Sequence, residues 1–326
     1  MYFSLKYVRI YGRLKCVAEV LLMILCIGEI LADLIGEYNG DNIKYERFVG
    51  GAPLNVACGI KNLEGAVGFI GSVGNDIIGN FLYEYCLTKG FEYLDVRLDP
   101  ERNTTLAFVE NDPNGERSFC FFRQNTADYQ IDYSRLNIIS KANIVHVGSL
   151  MLREQIGREL AHKIMDIAKE NGKLISFDIN FRDDIYNSTE EAKDIYLEYI
   201  QRADILKFSE DEVELFTGSS DLSSLNDVVQ PDQLVFVTLG SQGSYYQYKD
   251  LKNIVESIKV KPVDTTGAGD AFYACVLRYL DELQLSSLND EIIVEILKKA
   301  NRCGALACGK KGALSALPTL EELNNL

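Results

Sequence analysis

The sequence predicts an α/β fold: a doubly wound, mostly parallel sheet flanked by helices, with a small β-sheet lid. Three observations predict it. Short β-rich apolar runs alternate with helical patterns along most of the chain. Two stretches break that rhythm, showing strand-like alternation with no helix between. A length of 326 residues, 47% hydrophobic and 25% charged, suits a globular chain with ample core, in one large domain with an insertion or in two domains.

The first core strand is read at residues 23–27. Ahead of it, Lys6, Arg9, Arg13 and Lys15 precede the apolar run 20–27, a superficial match to a secretory signal. Eight apolar residues fall far short of a membrane span, and cleavage after them would remove the first strand. Residues 1–21 are therefore expected to be an extension, with Met23 an alternative start, and 22–326 the folded domain. Further buried strands are read at 67–70, 144–147, 174–178, 205–208 and 234–239. Between and after them, helical periodicity runs over 55–63, 81–89, 156–171, 189–202, 211–217, 271–283 and 291–308. Strands alternating with helices argue for a parallel sheet covered on both faces. The two exceptions are 36–48 and 104–122; the second contains Asn111-Asp112-Pro113-Asn114-Gly115, a hairpin turn signal. Antiparallel strands inserted there would form a small sheet outside the main layers and suit a lid over a cleft. The pattern alone is equally compatible with a decorative edge hairpin.

A net charge of −15 disfavours binding to nucleic acid or an anionic membrane, so neither is expected as a partner. Any phosphate site must be built locally. The eight cysteines include no C-x-x-C pair and lie mostly in apolar stretches, which reads as reduced, buried thiols in a cytoplasmic protein. With His146 and His162 the sole histidines, a His-rich metal site is disfavoured. Neither lies beside a G-x-S-x-G turn, so both read as structural.

The most informative segment is Val263-Asp264-Thr265-Thr266-Gly267-Ala268-Gly269-Asp270-Ala271-Phe272. A polar, glycine-rich turn leads straight into an apolar helical pattern. Backbone N–H groups at a helix start are unpaired and partly positive, so they attract anions. Gly267 and Gly269 let the main chain approach a phosphate, and Asp270 falls in the first helical turn. Amides that stabilise a moving phosphoryl group, beside a carboxylate that takes a hydroxyl proton, suit phosphoryl transfer. On these ten residues alone, a glycine loop whose Asp270 merely caps the helix is equally supported.

The run from Asp264 to Phe272 resembles the C-terminal signature of the ribokinase-like (PfkB) carbohydrate kinases. The N-terminal signature of that family is similar to Gly50-Gly51-Ala52-Pro53-Leu54-Asn55-Val56-Ala57, continued by Val67-Gly68-Phe69-Ile70-Gly71-Ser72-Val73-Gly74-Asn75-Asp76 and Gly79. The motifs stand in the right order, about 210 residues apart, and the resemblance covers roughly 23–318. The Ala52-Pro53 pair, the Phe121–Asp128 stretch Phe121-Phe122-Arg123-Gln124-Asn125-Thr126-Ala127-Asp128 and Phe177-Asp178-Ile179-Asn180-Phe181-Arg182 resemble the fructokinase branch; kinases of 2-keto-3-deoxygluconate share part of this set.

The resemblance implies roles residue by residue. Asp270 is the expected catalytic base, and the amides of Gly267, Ala268, Gly269 and Asp270 the anion hole. Asp33, expected to end the first strand, would accept hydrogen bonds from vicinal sugar hydroxyls. Gly50, Gly51 and Asn55 would let backbone and amide approach the sugar, with an N-cap as a second use for Asn55. Arg123 would close on the sugar from the lid. Asn180 and Arg182, on the same extended strand end as Asp178, would reach substrate oxygens or nucleotide phosphate. Thr238, Gly240 and Gly243 match a nucleotide-binding turn, and Asn301 and Gly304 the adenine side, although small residues on a helix also serve close packing. ATP and Mg²⁺ are the implied cofactors, with Glu212 holding Mg²⁺ through water; Asp264 and Thr266 are candidates for a monovalent-cation (K⁺) site. A homodimer through the lid strands is a further implication.

The chain departs from the family in three places. Ser209 replaces the common Asn of the Asn-x-x-Glu metal motif, Cys275 replaces Gly after Ala274, and Glu64 replaces Gly before Gly65. The run Gly304 to Lys311 is one residue from a Walker A loop, but Lys311 stands where Ser or Thr is required and a helical pattern where a strand should precede. Lys310-Lys311-Gly312 reads as a helix stop.

The resulting expectation is MgATP-dependent phosphorylation of D-fructose to fructose 6-phosphate. The alternatives are a kinase of 2-keto-3-deoxygluconate, another sugar or a nucleoside, and a non-catalytic sugar-binding regulator. A nicotinamide dehydrogenase ranks last, for want of G-x-G-x-x-G after the first strand.

Overall fold

A computed structural model describes residues 5–10, 13–18, 23–39, 42–111 and 117–325. Residues 112–116, which hold most of the expected hairpin turn, and the expected domain boundary at 21/22 lie outside the described residues. In chain order the elements begin with the hairpin β1 (Leu5–Ile10) and β2 (Arg13–Ala18), whose strands pair antiparallel with each other. There follow β3 (Met23–Ile27), β4 (Leu31–Asn39), β5 (Asn42–Gly50), α1 (Ala52–Asn62), β6 (Val67–Gly74), α2 (Ile77–Leu87), β7 (Tyr93–Asp99), β8 (Leu106–Asn111) and β9 (Arg117–Phe122). The second half runs β10 (Ala142–Val147), α3 (Gln155–Glu170), β11 (Leu174–Asp178), α4 (Thr189–Ile200), β12 (Ile205–Ser209), α5 (Glu210–Thr217), β13 (Leu234–Thr238), β14 (Ser244–Tyr248) and β15 (Leu251–Val255). The chain ends with α6 (Ala268–Leu280), α7 (Asp290–Ala307), α8 (Ala313–Ala316) and α9 (Leu320–Asn324).

Nine strands form the main sheet in the order β15-β14-β13-β12-β11-β10-β3-β6-β7. The seven from β13 to β7 are parallel, and β14 and β15 return antiparallel at one edge. The chain starts in the middle at β3, winds outward through β6 and β7, then returns to build β10 to β13 on the other side. This is the doubly wound α/β fold the sequence predicts. Its topological switch point, where ligands bind in open α/β sheets, lies between the carboxyl ends of β3 and β10.

Burial on both faces explains the near-continuous apolar strands. Ile24 and Cys26 of β3 face a core shared with α1, α2, α6 and α7, whereas Met23, Leu25 and Ile27 face one shared with α3, α4 and α5. α1 and α6 cross closely: a Cβ at Gly59 would lie 2.6 Å from that of Ala274. α3 shows why its period was readable, since Leu160, Ala161, Ile164, Met165 and Ala168 form one buried stripe.

Three strands of the main sheet have no clear signal in the sequence. β7 carries Asp95 and Arg97 within its run. The β14–β15 hairpin turns at Lys249, whose φ of 54° is a left-handed conformation usually announced by Gly or Asn. The same logic marks Glu64, which follows α1 with φ 58° where the resembled family has glycine; both positions are strained for a side chain.

The small sheet has the order β5-β4-β8-β9. β4 and β5 pair antiparallel, as do β8 and β9, while the central β4–β8 pair is parallel rather than antiparallel, because β6, α2 and β7 intervene between them. β4 leaves directly from the loop after β3, which places this sheet over the switch point.

Candidate active site

The residues gathered at the switch point come from the main-sheet strands β11 and β12, from segments that follow the strands, and from the lid. A cavity of about 210 Å³ is lined by Glu29, Leu31, Asp33, Gly51, Ala52, Asn55, Phe121, Leu150, Asp178, Asn180, Arg182, Lys207, Thr266, Gly267, Gly269, Asp270 and Ala313. A second cleft, about 550 Å³, is lined by Thr238, Gly240, Ser241, Gly243, Ser257, Ile258, Lys259, Val260, Pro262, Thr265, Ala268, Gly269, Phe272, Asn301, Gly304, Ala305 and Cys308. The two meet at Gly269, so the glycine turn and the first turn of α6 form the wall between them.

That turn is built as a helix entrance. Gly267 is the N-cap of α6, with φ 78°, and no side chain caps the helix. The Ala268 amide donates to the Thr265 carbonyl at 3.2 Å, and the helix start, where unpaired amides attract anions, lies at the junction of the two cavities. The loop is braced from behind: Asp264 Oδ1 accepts from the Thr266 amide (2.8 Å) and hydroxyl (2.7 Å), and Oδ2 accepts from the Gly312 amide (2.9 Å). Asp264 and Thr266 thus hold the turn to the segment preceding α8.

Asp270 is the third residue of α6. Asn55 Nδ2 donates to its Oδ2 at 2.8 Å, from the second turn of α1. Burial raises the Asp270 pKa above the ordinary carboxyl range; the Asn55 hydrogen bond, Lys207 and Arg182 pull it partly back. Asn55 lies inside α1 and does not cap it; Gly51 is the N-cap, because Ala52-Pro53 starts the helix three residues earlier than periodicity suggested.

The other predicted residues divide into those that line a cavity and those that do not. Asp33 lines the smaller cavity, but from within β4, not from the end of the first strand: β3 stops at Ile27 and the chain turns before Asp33. Gly50 lies outside the lining and makes room for Asp33, since a Cβ there would fall 2.3 Å from Asp33 Oδ2. Gly51 does line it, at φ 114°, with a Cβ position 2.4 Å from the Glu29 carbonyl. Asn180 and Arg182 line the cavity too, but not as an extended strand end. β11 stops at Asp178 and Asn180 has φ 37°, so a tight turn delivers both side chains.

Arg123 lies elsewhere than expected. It does not line the smaller cavity but a neighbouring one of about 860 Å³ that shares Phe121 with it. Its guanidinium holds Asp128 through Nη2 at 2.7 Å and Nε at 3.0 Å, leaving Nη1 buried without a partner among the described residues. The loop after β9 doubles back through Asn125, at φ 53°, and buries that pair beside Thr105 and Thr126. Glu212 also lies outside the lining. Its two carboxylate oxygens accept from the amides of Phe181 and Ser209, each at 2.7 Å, as part of a capping box on α5. The serine that departs from the family motif is the other half of that box.

All five residues predicted for the nucleotide side line the larger cleft. Gly243 is indispensable to its shape, as a Cβ would fall 2.1 Å from the Val255 carbonyl. Asn301 donates to that carbonyl at 2.8 Å, fixing the exit of β15 against α7. Gly304 lets α7 approach α6, with a Cβ position 3.3 Å from the Ala268 carbonyl. Ile258, Val260, Pro262 and Phe272 give the cleft an apolar wall suited to a flat aromatic base. The near-Walker run is no loop: Gly304 lies in α7, and Lys310 and Lys311 pair with Glu322 and Glu37.

Sequence reasoning missed Lys207 and Glu29. Lys207, 6% exposed in the middle of β12, pairs with Asp178 at 2.8 Å. Its signal was a charge in the apolar run Ile205-Leu206-Lys207-Phe208. Glu29, 1% exposed, presents a buried Oε2 with no hydrogen-bond partner among the described residues. Burial pushes its pKa up to about 7, opposed by its own backbone amide. The native protein therefore holds a proton that an unfolded chain has already lost above the ordinary carboxyl range. Stability must fall as pH rises through that window until the group ionises near 7. Relative to Glu29→Gln, the wild-type thermal midpoint is expected to drop between about pH 5 and pH 8, by the equivalent of at most about 3 kcal/mol. Parallel melting curves across that range would contradict the assignment.

Comparison with known proteins agrees with this geometry. Residues 21–320 match the model of the pfkB family carbohydrate kinases. The chain is 37% identical over 315 residues to Fructokinase-1 of Oryza sativa subsp. japonica, covering 93% of this chain and 97% of the relative. The crystal structure of fructokinase with bound ATP from Xylella fastidiosa superposes with a TM-score of 0.84 at 29% identity, over 93% of this chain and 97% of that one. Fructokinase from Vibrio cholerae O395, in its fructose, ADP and calcium ion bound form, gives a TM-score of 0.82 at 33% identity, over 94% and 99%. No helix among the described residues is long and apolar enough to cross a membrane.

Proposed function

The chain belongs to the pfkB family of carbohydrate kinases, and we propose that it is an ATP-dependent kinase that phosphorylates D-fructose at the 6-hydroxyl. One observation carries the reading: a sugar-sized cavity and a nucleotide-sized cleft meet at the entrance of α6, with Asp270 beside the junction. The acceptor hydroxyl lies against Asp270, which takes its proton as the oxygen attacks the terminal phosphorus of ATP. The bond from that phosphorus to the bridging oxygen of ADP breaks in the same transfer, and the amides from Gly267 to Asp270 receive the charge spread over the phosphoryl oxygens. Asp33 and Asn55 orient the sugar. Asn180 and Arg182 bind its remaining oxygens or the incoming phosphate.

The charges of the cavity support a neutral acceptor. Asp33, Asp178 and Asp270 line it against Arg182 and Lys207, while Glu29, its pKa raised to about 7 by burial, stays protonated below that pH. A sugar acid such as 2-keto-3-deoxygluconate would bring another carboxylate into that surplus.

Mg²⁺ is part of the proposal, and the donor set suits an ion held mainly by the nucleotide. Among the described residues no group of three or more His, Cys, Asp or Glu side chains is placed to bind a metal. The ion would supply charge neutralisation at the phosphates. Glu212, its oxygens already accepting amides, retains lone pairs for a water ligand. A K⁺ ion beside the loop braced by Asp264 and Thr266, a cytoplasmic location and a dimer paired through the lid strands complete the reading. Exposed Ile43, Tyr45 and Phe122 on those strands support the last. The test is ADP release with ATP and Mg²⁺ over fructose, glucose, ribose, 2-keto-3-deoxygluconate and a nucleoside, with the product identified. Fructose should give the highest kcat/KM; preference for another acceptor replaces the substrate, and ADP release with none removes the kinase reading.

A further inference from the structure

We propose that Lys207 is a further catalytic residue of this site, its ammonium contacting the phosphoryl group in transit; the inference rests on the kinase reading above. Lys207 and Asp178 stand opposite each other in the parallel β11–β12 register, 6% and 4% exposed. Burying such a pair costs desolvation that a hydrophobic pair of equal size avoids, so stability alone does not account for it. Position does. The ammonium nitrogen lies 3.5 Å from where a Cβ on Gly269 would stand, beside the peptide that separates the two cavities, and Lys207 lines the smaller one.

The charges facing it are unbalanced. Asp178, Glu212 and Asp270 all act on Lys207, and Arg182 is the other cation lining the cavity. A phosphoryl group arriving from the nucleotide cleft meets those carboxylates, and Lys207 is the point charge placed between it and them. Of its three N–H bonds one goes to Asp178 Oδ1 at 2.8 Å, leaving two for phosphoryl oxygens. Its chemistry is electrostatic. The acceptor O–P bond forms, the P–O bond to ADP breaks and the acceptor's proton goes to Asp270, while Lys207 stays protonated throughout.

The experiment compares wild type with Lys207→Met, Asp178→Asn and the double variant, using the acceptor wild type turns over best. The readouts are kcat, both KM values, melting temperature, and the affinities for ADP and for ADP–aluminium fluoride with sugar present. Lys207→Met is expected to lower kcat on the order of 10²–10³-fold and to weaken ADP–aluminium fluoride by a similar factor, with ADP affinity unchanged. It should also melt earlier, because Asp178 is left buried and unpaired; the double variant recovers the melting temperature without recovering kcat. A double variant that regains both, or a Lys207→Met enzyme that binds the phosphoryl mimic like wild type, overturns the inference and leaves a structural ion pair. Should wild type turn over no acceptor, the kinase reading fails and the inference fails with it.

Discussion

An Asp270→Asn enzyme is expected to fold, bind sugar and nucleotide, and turn over with kcat lowered on the order of 10²–10⁴-fold, the range for lost general-base assistance. The change is isosteric and α6 loses no cap, because Gly267 holds that position. Asn55 Nδ2, now 2.8 Å from an acceptor, still finds an oxygen if the new amide turns its carbonyl towards it. What disappears is the site for the hydroxyl proton. The pH dependence follows from the same surroundings. The working form is the carboxylate, and burial raises its pKa, so kcat must fall as pH falls, with a limb above the ordinary carboxyl range. That limb should be absent from whatever activity the asparagine variant retains. Steady-state kinetics on both proteins, with melting curves to establish folding, check both statements. Near-wild-type turnover would remove Asp270 from the chemistry.

How much of this was legible in the sequence depends on whether a residue's role is local. The glycine turn was legible because the role proposed for it needs only consecutive residues: Gly267 to Asp270 enter α6 wherever that helix packs. The central strands were legible because burial on both faces demands unbroken apolar runs, as in β3 and β11. The residues expected on the nucleotide side gather in one cleft, since the turn after β13 and the middle of α7 are each short local features. Roles set by the path between elements were not legible. Arg123 was expected over the sugar, but its loop turns back at Asn125 and commits Nε and Nη2 of the guanidinium to Asp128. Asn180 leaves the strand direction through a left-handed residue that carries no glycine to announce it. Asp33 belongs to a lid strand because the turn at 28–30 intervenes, and no breaker stronger than one glycine marks it. Lys207 and Glu29 were overlooked for the opposite reason: each is a single charge beside or within apolar sequence, which reads as noise until burial shows that it has been retained in the interior.

The two glycines of the cradle should fail in different ways, and that difference tests the geometry of the anion site. At Gly267 the backbone is left-handed, φ 78°, and an added Cβ would stand 2.8 Å from the Ala313 Cα and 2.9 Å from its Cβ. Gly267→Ala therefore carries an αL cost of about 1–2 kcal/mol before any clash. The segment preceding α8 cannot withdraw freely, because the Gly312 amide is tied to Asp264. The turn must shift, and amides that shift no longer point at the phosphoryl group. A loss of kcat on the order of 10²–10³-fold is expected, the scale of removing one such donor, together with a lower melting temperature. Gly269 is in ordinary helical backbone, and a Cβ there meets only the end of the Lys207 side chain at 3.5 Å, normal contact. Gly269→Ala should melt like wild type. Its methyl group instead projects into the junction of the two cavities, where the phosphoryl group has to pass. The expected result is a folded enzyme whose kcat falls, or whose KM for ATP rises, without loss of stability. If the amides of this turn do not hold the phosphate, Gly269→Ala should leave both kinetic constants and the melting temperature unchanged, and Gly267→Ala should cost stability alone.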